Sequence, residues 1–202
     1  MGDNTHRLHT SWWTRLEVTA FSMVVAAVLF LGVRPDWDLA VTRWLQRAAP
    51  LADFPAAVFV LLGNAEVMIS AVVVAGGLWY LWGRRQSSMA FWLALGLTGA
   101  SVLAVGLKYL LVHPGPPPSL QRHVFDVGVA LQTPYSFPSG HTMRATVFAA
   151  VALRRAPVLV VSVVVAMMAA LVYLGDHWTS DVLGGLVLGI ACAVLVRSVN
   201  LE

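Results

Sequence analysis

Six apolar runs separated by short polar gaps make up most of this chain, at residues 16–33, 64–83, 88–112, 139–153, 157–175 and 181–197. A helix needs about 20 apolar residues to cross the hydrocarbon of a bilayer, with about 17 as a lower bound. The fold expected from this pattern is all-α, an integral membrane bundle of six transmembrane helices forming one domain over residues 1–202. The fourth run is short and carries Arg144, so its assignment leans on the motif at its start. Charged residues make up only 11% of the 202 and hydrophobic ones 58%, against about 25% charged in an ordinary soluble domain. So little charge cannot cover a globule with polar surface, and lipid must be the solvent.

Between the first two runs, Asp36 to Pro50 places Trp37, Leu39, Ala40, Trp44 and Leu45 near helical spacing, interrupted by Asp38, Arg43 and Arg47. That pattern predicts an interfacial amphipathic helix lying along the membrane, continued by residues 51–63 into the second span. The first run is long for a cleaved leader, and no small-x-small site precedes Arg34-Pro35-Asp36-Trp37, so it reads as a retained span. Arg7 and Arg15, Arg84 and Arg85, Arg154 and Arg155, and Arg197 all fall on one side of a six-span chain. The positive-inside rule makes that side cytoplasmic, with both termini, and leaves 113–138 and 175–180 on the outer face.

The net charge of +3 does not point to nucleic acid, because the arginines sit in the gaps between spans and form no basic stripe. The single cysteine, Cys192, excludes an intramolecular disulfide and a multi-cysteine zinc site.

The outer gaps and the adjoining helix ends hold nearly all the residues able to do chemistry. In Phe137-Pro138-Ser139-Gly140-His141-Thr142, a polar start before an apolar run reads as a helix N-terminus. Unpaired N–H groups and a partial positive charge there suit a phosphate. Gly140 permits close backbone approach and His141 would stand beside the anion. The plainer alternative is an ordinary Ser139 cap with an interfacial histidine. In Gly175-Asp176-His177-Trp178-Thr179-Ser180-Asp181, His177 and Asp181 are four apart and share a face if the turn is helical. A carboxylate on one imidazole nitrogen frees the other as base or nucleophile. Lys108, the only lysine, ends the third run. There it could bind an anion or simply snorkel. What no single bland reading explains is the joint placement of three polar sites on one membrane face.

With these residues in view, the chain resembles the type 2 phosphatidic acid phosphatase family, which shares its core with vanadium haloperoxidases and glucose-6-phosphatase. The resemblance spans about residues 64–197 and rests on Lys108 with Pro116, on Pro138-Ser139-Gly140-His141, and on His177 with Asp181. The run Leu174-Gly-Asp-His-Trp-Thr-Ser-Asp-Val-Leu-Gly-Gly185 is similar to bacterial members. The resemblance implies a multi-pass protein of the bacterial plasma membrane that removes phosphate from a membrane lipid without a metal or cofactor. It also implies that Lys108, Ser139 and Gly140 bind phosphate, His177 attacks phosphorus, Asp181 orients His177, and His141 protonates the leaving group.

Two departures stand out. Gly115 occupies the arginine position of the family's first motif, and Ala170-Leu171 occupy the Ser-Arg positions of the third. A charge-assisted hydrogen bond from an arginine at either position would be worth roughly 1.5–3 kcal/mol. Arg144 and Arg122 are the candidate replacements, the former because an intramembrane charge is expected to be functional. Their bland alternatives are an ion pair of Arg144 with Glu66 or Asp176, and a solvated loop charge for Arg122. His113 and His123 read as loop residues. The rival overall reading is a catalytically impaired member that binds a lipid phosphate as a carrier or regulatory module. Zinc held by His141, His177 and Asp181 is disfavoured beside an anion cradle.

Overall fold

The computed structural model describes residues 17–27, 35–49, 51–81, 87–122, 124 and 133–199. They form eight α-helices: α1 (Glu17–Ala27), then α2 (Pro35–Ala48), α3 (Asp53–Leu62), α4 (Ala65–Leu81), α5 (Ser87–Leu111), α6 (Gly140–Ala152), α7 (Pro157–Leu174) and α8 (Thr179–Val199). A short 3-10 turn, Pro118–Leu120, lies between α5 and α6. Arg7, Arg15, Arg84, Arg85, His123 and the end of the first apolar run lie outside the described residues.

Three of these helices, in α5, α7 and α8, are long and apolar enough to cross a membrane. The pair α3 and α4 makes a fourth if counted as one span, bent by 56° at its break. The expected continuous run into the second span is therefore broken at Gly63-Asn64. The fourth expected span is the 13-residue α6, about 20 Å long at 1.5 Å per residue, well short of a hydrocarbon core of about 30 Å. It lies against α5, α7 and α8, with Thr142 through Val147 buried in sequence.

Close approach explains how α6 comes to lie there. A Cβ on Gly185 of α8 would stand 3.1 Å from Thr142 Cβ, and one on Gly189 would stand 2.8 Å from Thr146 Cβ. Small residues let two backbones meet where lipid supplies no hydrophobic drive for helix association. Leu93, Leu97, Met143, Val147 and Leu188 fill the space among α5, α6 and α8. Val60, Met167, Leu171 and Val182 fill the space on the α3–α7 side.

The helix ends follow local chemistry. Pro157 starts α7, where its missing N–H costs nothing. Gly175 ends α7 in the left-handed region at φ +73°. The backbone N–H of Asp176 donates to Leu171 O at 3.0 Å, a typical glycine-terminated end. A Cβ at Gly175 would also collide with the Leu120 carbonyl, so this glycine lets the 113–122 segment lie across the α7–α8 turn. Arg122 N–H to Leu174 O, at 2.8 Å, ties the two together.

In α2 the face turned to the protein is anchored by polar groups. Asp38 and Thr42 are fully buried, while Trp44 is 61% exposed. Asp38 Oδ1 accepts from the Ser180 N–H at 2.9 Å and Oδ2 from Ser180 Oγ at 2.8 Å. The residue read as an interruption of the helix is thus a remote cap on α8, supplying acceptors to its unpaired first turn. Gln46 Nε2 adds bonds to Leu120 O at 2.8 Å and Tyr173 O at 2.9 Å.

Candidate active site

The start of α6 is built by its own residues. Ser139 is the N-cap, and its Oγ accepts from Thr142 N–H at 3.4 Å and from Thr142 Oγ1 at 3.2 Å. Its N–H donates to Asp181 O at 3.0 Å, linking the start of α6 to the first turn of α8. Ser139 is wholly buried. Helical side chains slant toward the N-terminus, which carries the Arg144 guanidinium back over Gly140. A Cβ on Gly140 would stand 3.0 Å from Arg144 Nη1, so the glycine makes room for the cation. Arg144 Nε donates to Gly63 O at 2.9 Å and Nη1 to Ser101 Oγ at 3.4 Å. The Gly63 carbonyl is free to accept because the helix breaks there.

The same break positions His141. Asn64 Oδ1 lies 2.6 Å from His141 Nε2. The amide side chain of Asn64 is itself buried, which holds the imidazole in place.

On the opposite wall, α8 begins only at Thr179, so His177 precedes the helix while Asp181 sits in its first turn. His177 Nδ1 lies 3.5 Å from Asp181 Oδ2, beyond the usual 2.7–3.2 Å of an N–H···O bond. Ser136 closes the gap. Its Oγ is 3.0 Å from His177 Nδ1 and donates a short hydrogen bond to Asp181 Oδ2. Trp178 N–H also donates to Asp181 Oδ2, at 2.8 Å. On the carboxylate's other side, His113 Nε2 lies 3.8 Å from Oδ1. The rings of His141 and His177 face each other at an angle, centroids 6.3 Å apart.

Two adjoining cavities meet here. A small one of about 70 Å³ is lined by Asn64, Ser101, Lys108, Gly140, His141 and Arg144, among others. A larger, open one of about 620 Å³ is lined by Lys108, His141, His177, Ser136, Asp176 and the Pro114–Pro118 segment, among others. Lys108 and His141 border both. A water needs roughly 10–15 Å³ of such space, so the small cavity has room for a tetrahedral oxyanion.

Lys108 and His141 therefore join the space lined by Gly140 and Arg144 to the space lined by His177, with Asp181 fully buried behind His177. Two residues read as phosphate ligands are placed otherwise. Ser139 lines neither cavity, because its hydroxyl is taken by the cap of its own helix. Arg122 lines neither, because Asp53 holds its Nη1 at 2.8 Å and Tyr173 OH accepts from the same nitrogen at 3.1 Å. Its guanidinium also lies 5.0 Å from the Tyr173 ring centroid. Arg144 is held by a carbonyl and a hydroxyl, and Glu66, considered as its ion-pair partner, lines the same small cavity. The residues sequence reasoning missed are Asn64, Ser136 and Ser101. Asn64 had a signal, as a polar residue after glycine between two apolar runs. Ser136 and Ser101 had none.

Residues 89–201 match the PAP2 superfamily. The chain belongs to this family. The matched stretch begins in α5 and contains all three motifs, whereas Asn64, Asp38 and Asp53 lie before it. The fold of this PAP2 chain is similar to the crystal structure of the first transmembrane PAP2 type phosphatidylglycerolphosphate phosphatase from Bacillus subtilis. The TM-score is 0.71 at 21% identity, over 92% of this chain and 95% of that one. No curated protein matches the sequence.

Proposed function

We propose that this PAP2 chain is a metal-independent lipid phosphate phosphatase acting through a phosphohistidine on His177. The observation that carries the reading is that His141 and His177 border one cavity, with Lys108 between that cavity and the smaller one holding Arg144. In this reading Lys108, Arg144 and the backbone at Gly140 meet the phosphoryl oxygens. Donors fixed in place before charge develops are commonly the largest catalytic contribution. His177 Nε2 forms a bond to phosphorus as the bond to the leaving oxygen breaks, and that oxygen takes the electron pair and a proton from His141. His141 then accepts a proton from water as the water oxygen displaces His177. An imidazole nucleophile needs no metal to activate it.

The substrate class is a phosphomonoester or pyrophosphate on a membrane lipid, of phosphatidate, phosphatidylglycerol phosphate or polyprenyl (pyro)phosphate type. The apolar helices around the site and the family support a bilayer-held substrate. The full chain is proposed as one domain of six spans with α2 at the interface, in a bacterial plasma membrane. Its termini are cytoplasmic and its site faces outward.

The test is phosphate release by purified protein from each lipid, with EDTA, with vanadate, and with acid-labile phosphate trapping on His177. Release that survives EDTA, falls with vanadate and leaves label on His177 is the expected result. Release restored only by a divalent ion would overturn the metal-independent reading. A second reading, a member that binds lipid phosphate without cleaving it, is favoured by Gly115 and Leu171 at the two arginine positions. Binding of the lipids without release would establish it.

A further inference from the structure

We propose that Ser136 is a positioning residue for His177, placed between the imidazole and the Asp181 carboxylate so that the carboxylate acts through a hydroxyl. The inference rests on the reading of His177 as nucleophile. Ser136, His177 and Asp181 are all buried, at 3%, 6% and 0% exposure, so water competes little for these bonds. His177 Nδ1 is 3.0 Å from Ser136 Oγ and 3.5 Å from the nearer carboxylate oxygen. The closer partner is the serine.

The proton count then decides the tautomer. A serine hydroxyl has one proton to donate and lone pairs to accept with. An ionised carboxylate can only accept, so the Ser136 proton lies toward Asp181 Oδ2. Ser136 Oγ must therefore accept from His177, which places the imidazole proton on Nδ1 and leaves the Nε2 lone pair free. Trp178 N–H holds the same carboxylate oxygen at 2.8 Å, and the Ser136 backbone is tied by its N–H to His113 O at 2.7 Å. During attack the Nε2–phosphorus bond forms and the phosphorus–leaving-oxygen bond breaks. The Nδ1 proton stays in its bond to Ser136, and the growing imidazole charge is met through the serine by Asp181. Ser136 makes no bond to phosphorus.

A serine that merely satisfies its hydroxyl would leave the tautomer of His177 and its coupling to Asp181 untouched, and the experiment reads both. The full chain, labelled with ¹⁵N-histidine in lipid nanodiscs, is measured by NMR, with His177 assigned by the loss of its signals in His177→Gln. Wild-type protein is expected to show the Nδ1–H tautomer, and Ser136→Ala a mixture of tautomers. In phosphate release, Ser136→Ala should lower kcat at least tenfold with KM within threefold of wild type. The Ser136→Ala, Asp181→Asn double variant should be no more than threefold below the worse single variant. An Nε2–H tautomer in wild type would overturn the proposal even if Ser136→Ala does not fold. An unchanged tautomer in a folded Ser136→Ala, kcat within threefold of wild type, or multiplicative losses in the double variant would do the same. Lack of phosphohistidine in wild type refutes the nucleophile reading separately, since the tautomer is measured without turnover.

Discussion

His141 and Asn64 are joined across 77 positions of sequence by a 2.6 Å contact between Nε2 and Oδ1. Asn64 stands at the break where α3 gives way to α4, outside the segment that matches the family. As an acceptor, Asn64 Oδ1 puts a proton on His141 Nε2 and leaves Nδ1 as the nitrogen able to exchange a proton with substrate. Asn64→Ala should lower kcat about tenfold to a hundredfold, up to the lower end of the roughly 10²–10⁴-fold that a general acid or base contributes. Asn64→Asp, which keeps the acceptor, should lose less than Asn64→Ala. Steady-state phosphate release on both variants checks the order.

Arg144 is held over Gly140 by two neutral oxygens and lines the small cavity, whose wall also carries Glu66. Arg144→Ala should lower turnover about a hundredfold, equal to about 2.7 kcal/mol of barrier. The protein should still fold, as judged by size-exclusion profile and melting in detergent. Turnover within threefold of wild type would mean that the cation only braces the break at Gly63.

Arg122 should behave in the opposite way. Its guanidinium joins the 113–122 segment to α3 and α7 through Asp53 and Tyr173. The pair is partly exposed, so solvent screening keeps its contribution to stability small. Arg122→Ala should leave kcat within threefold and lower the melting temperature slightly. A hundredfold loss of kcat would return Arg122 to the phosphate-binding set.

Asp38 caps α8 from another helix, and burial raises its carboxyl above the ordinary range despite the Ser180 bonds that pull it down. Because the folded carboxyl then binds its proton more tightly than the unfolded one, its contribution to stability falls as pH rises through the folded pKa. Asp38→Ala should cost about 1–3 kcal/mol by leaving the Ser180 N–H without its acceptor. Asp38→Asn should cost less. Thermal unfolding at several pH values tests both the order and the slope.

An all-helical membrane chain and its family were legible in the sequence because both are written locally. A long run of uncharged residues is a property of a segment, and Pro138-Ser139-Gly140-His141 and His177-x3-Asp181 are each contained within one turn or two. Local reading was also enough to name Lys108, His141, His177 and Asp181 together. It could not say what Ser139 and Arg122 do, because a hydroxyl at a helix start serves cap or ligand equally well, and a loop arginine goes to whichever carboxylate the fold brings near. Nor could it find Asn64 and Ser136, whose partners lie 77 and 41 positions away. Those pairings depend on the 56° break between α3 and α4 and on glycines that let α8 close on α6. The apolar pattern determined that these helices bury their backbones in lipid and in each other. Which polar side chains then met was decided by helix packing, since a buried hydroxyl, amide or carboxylate must take the partner that the neighbouring helix presents.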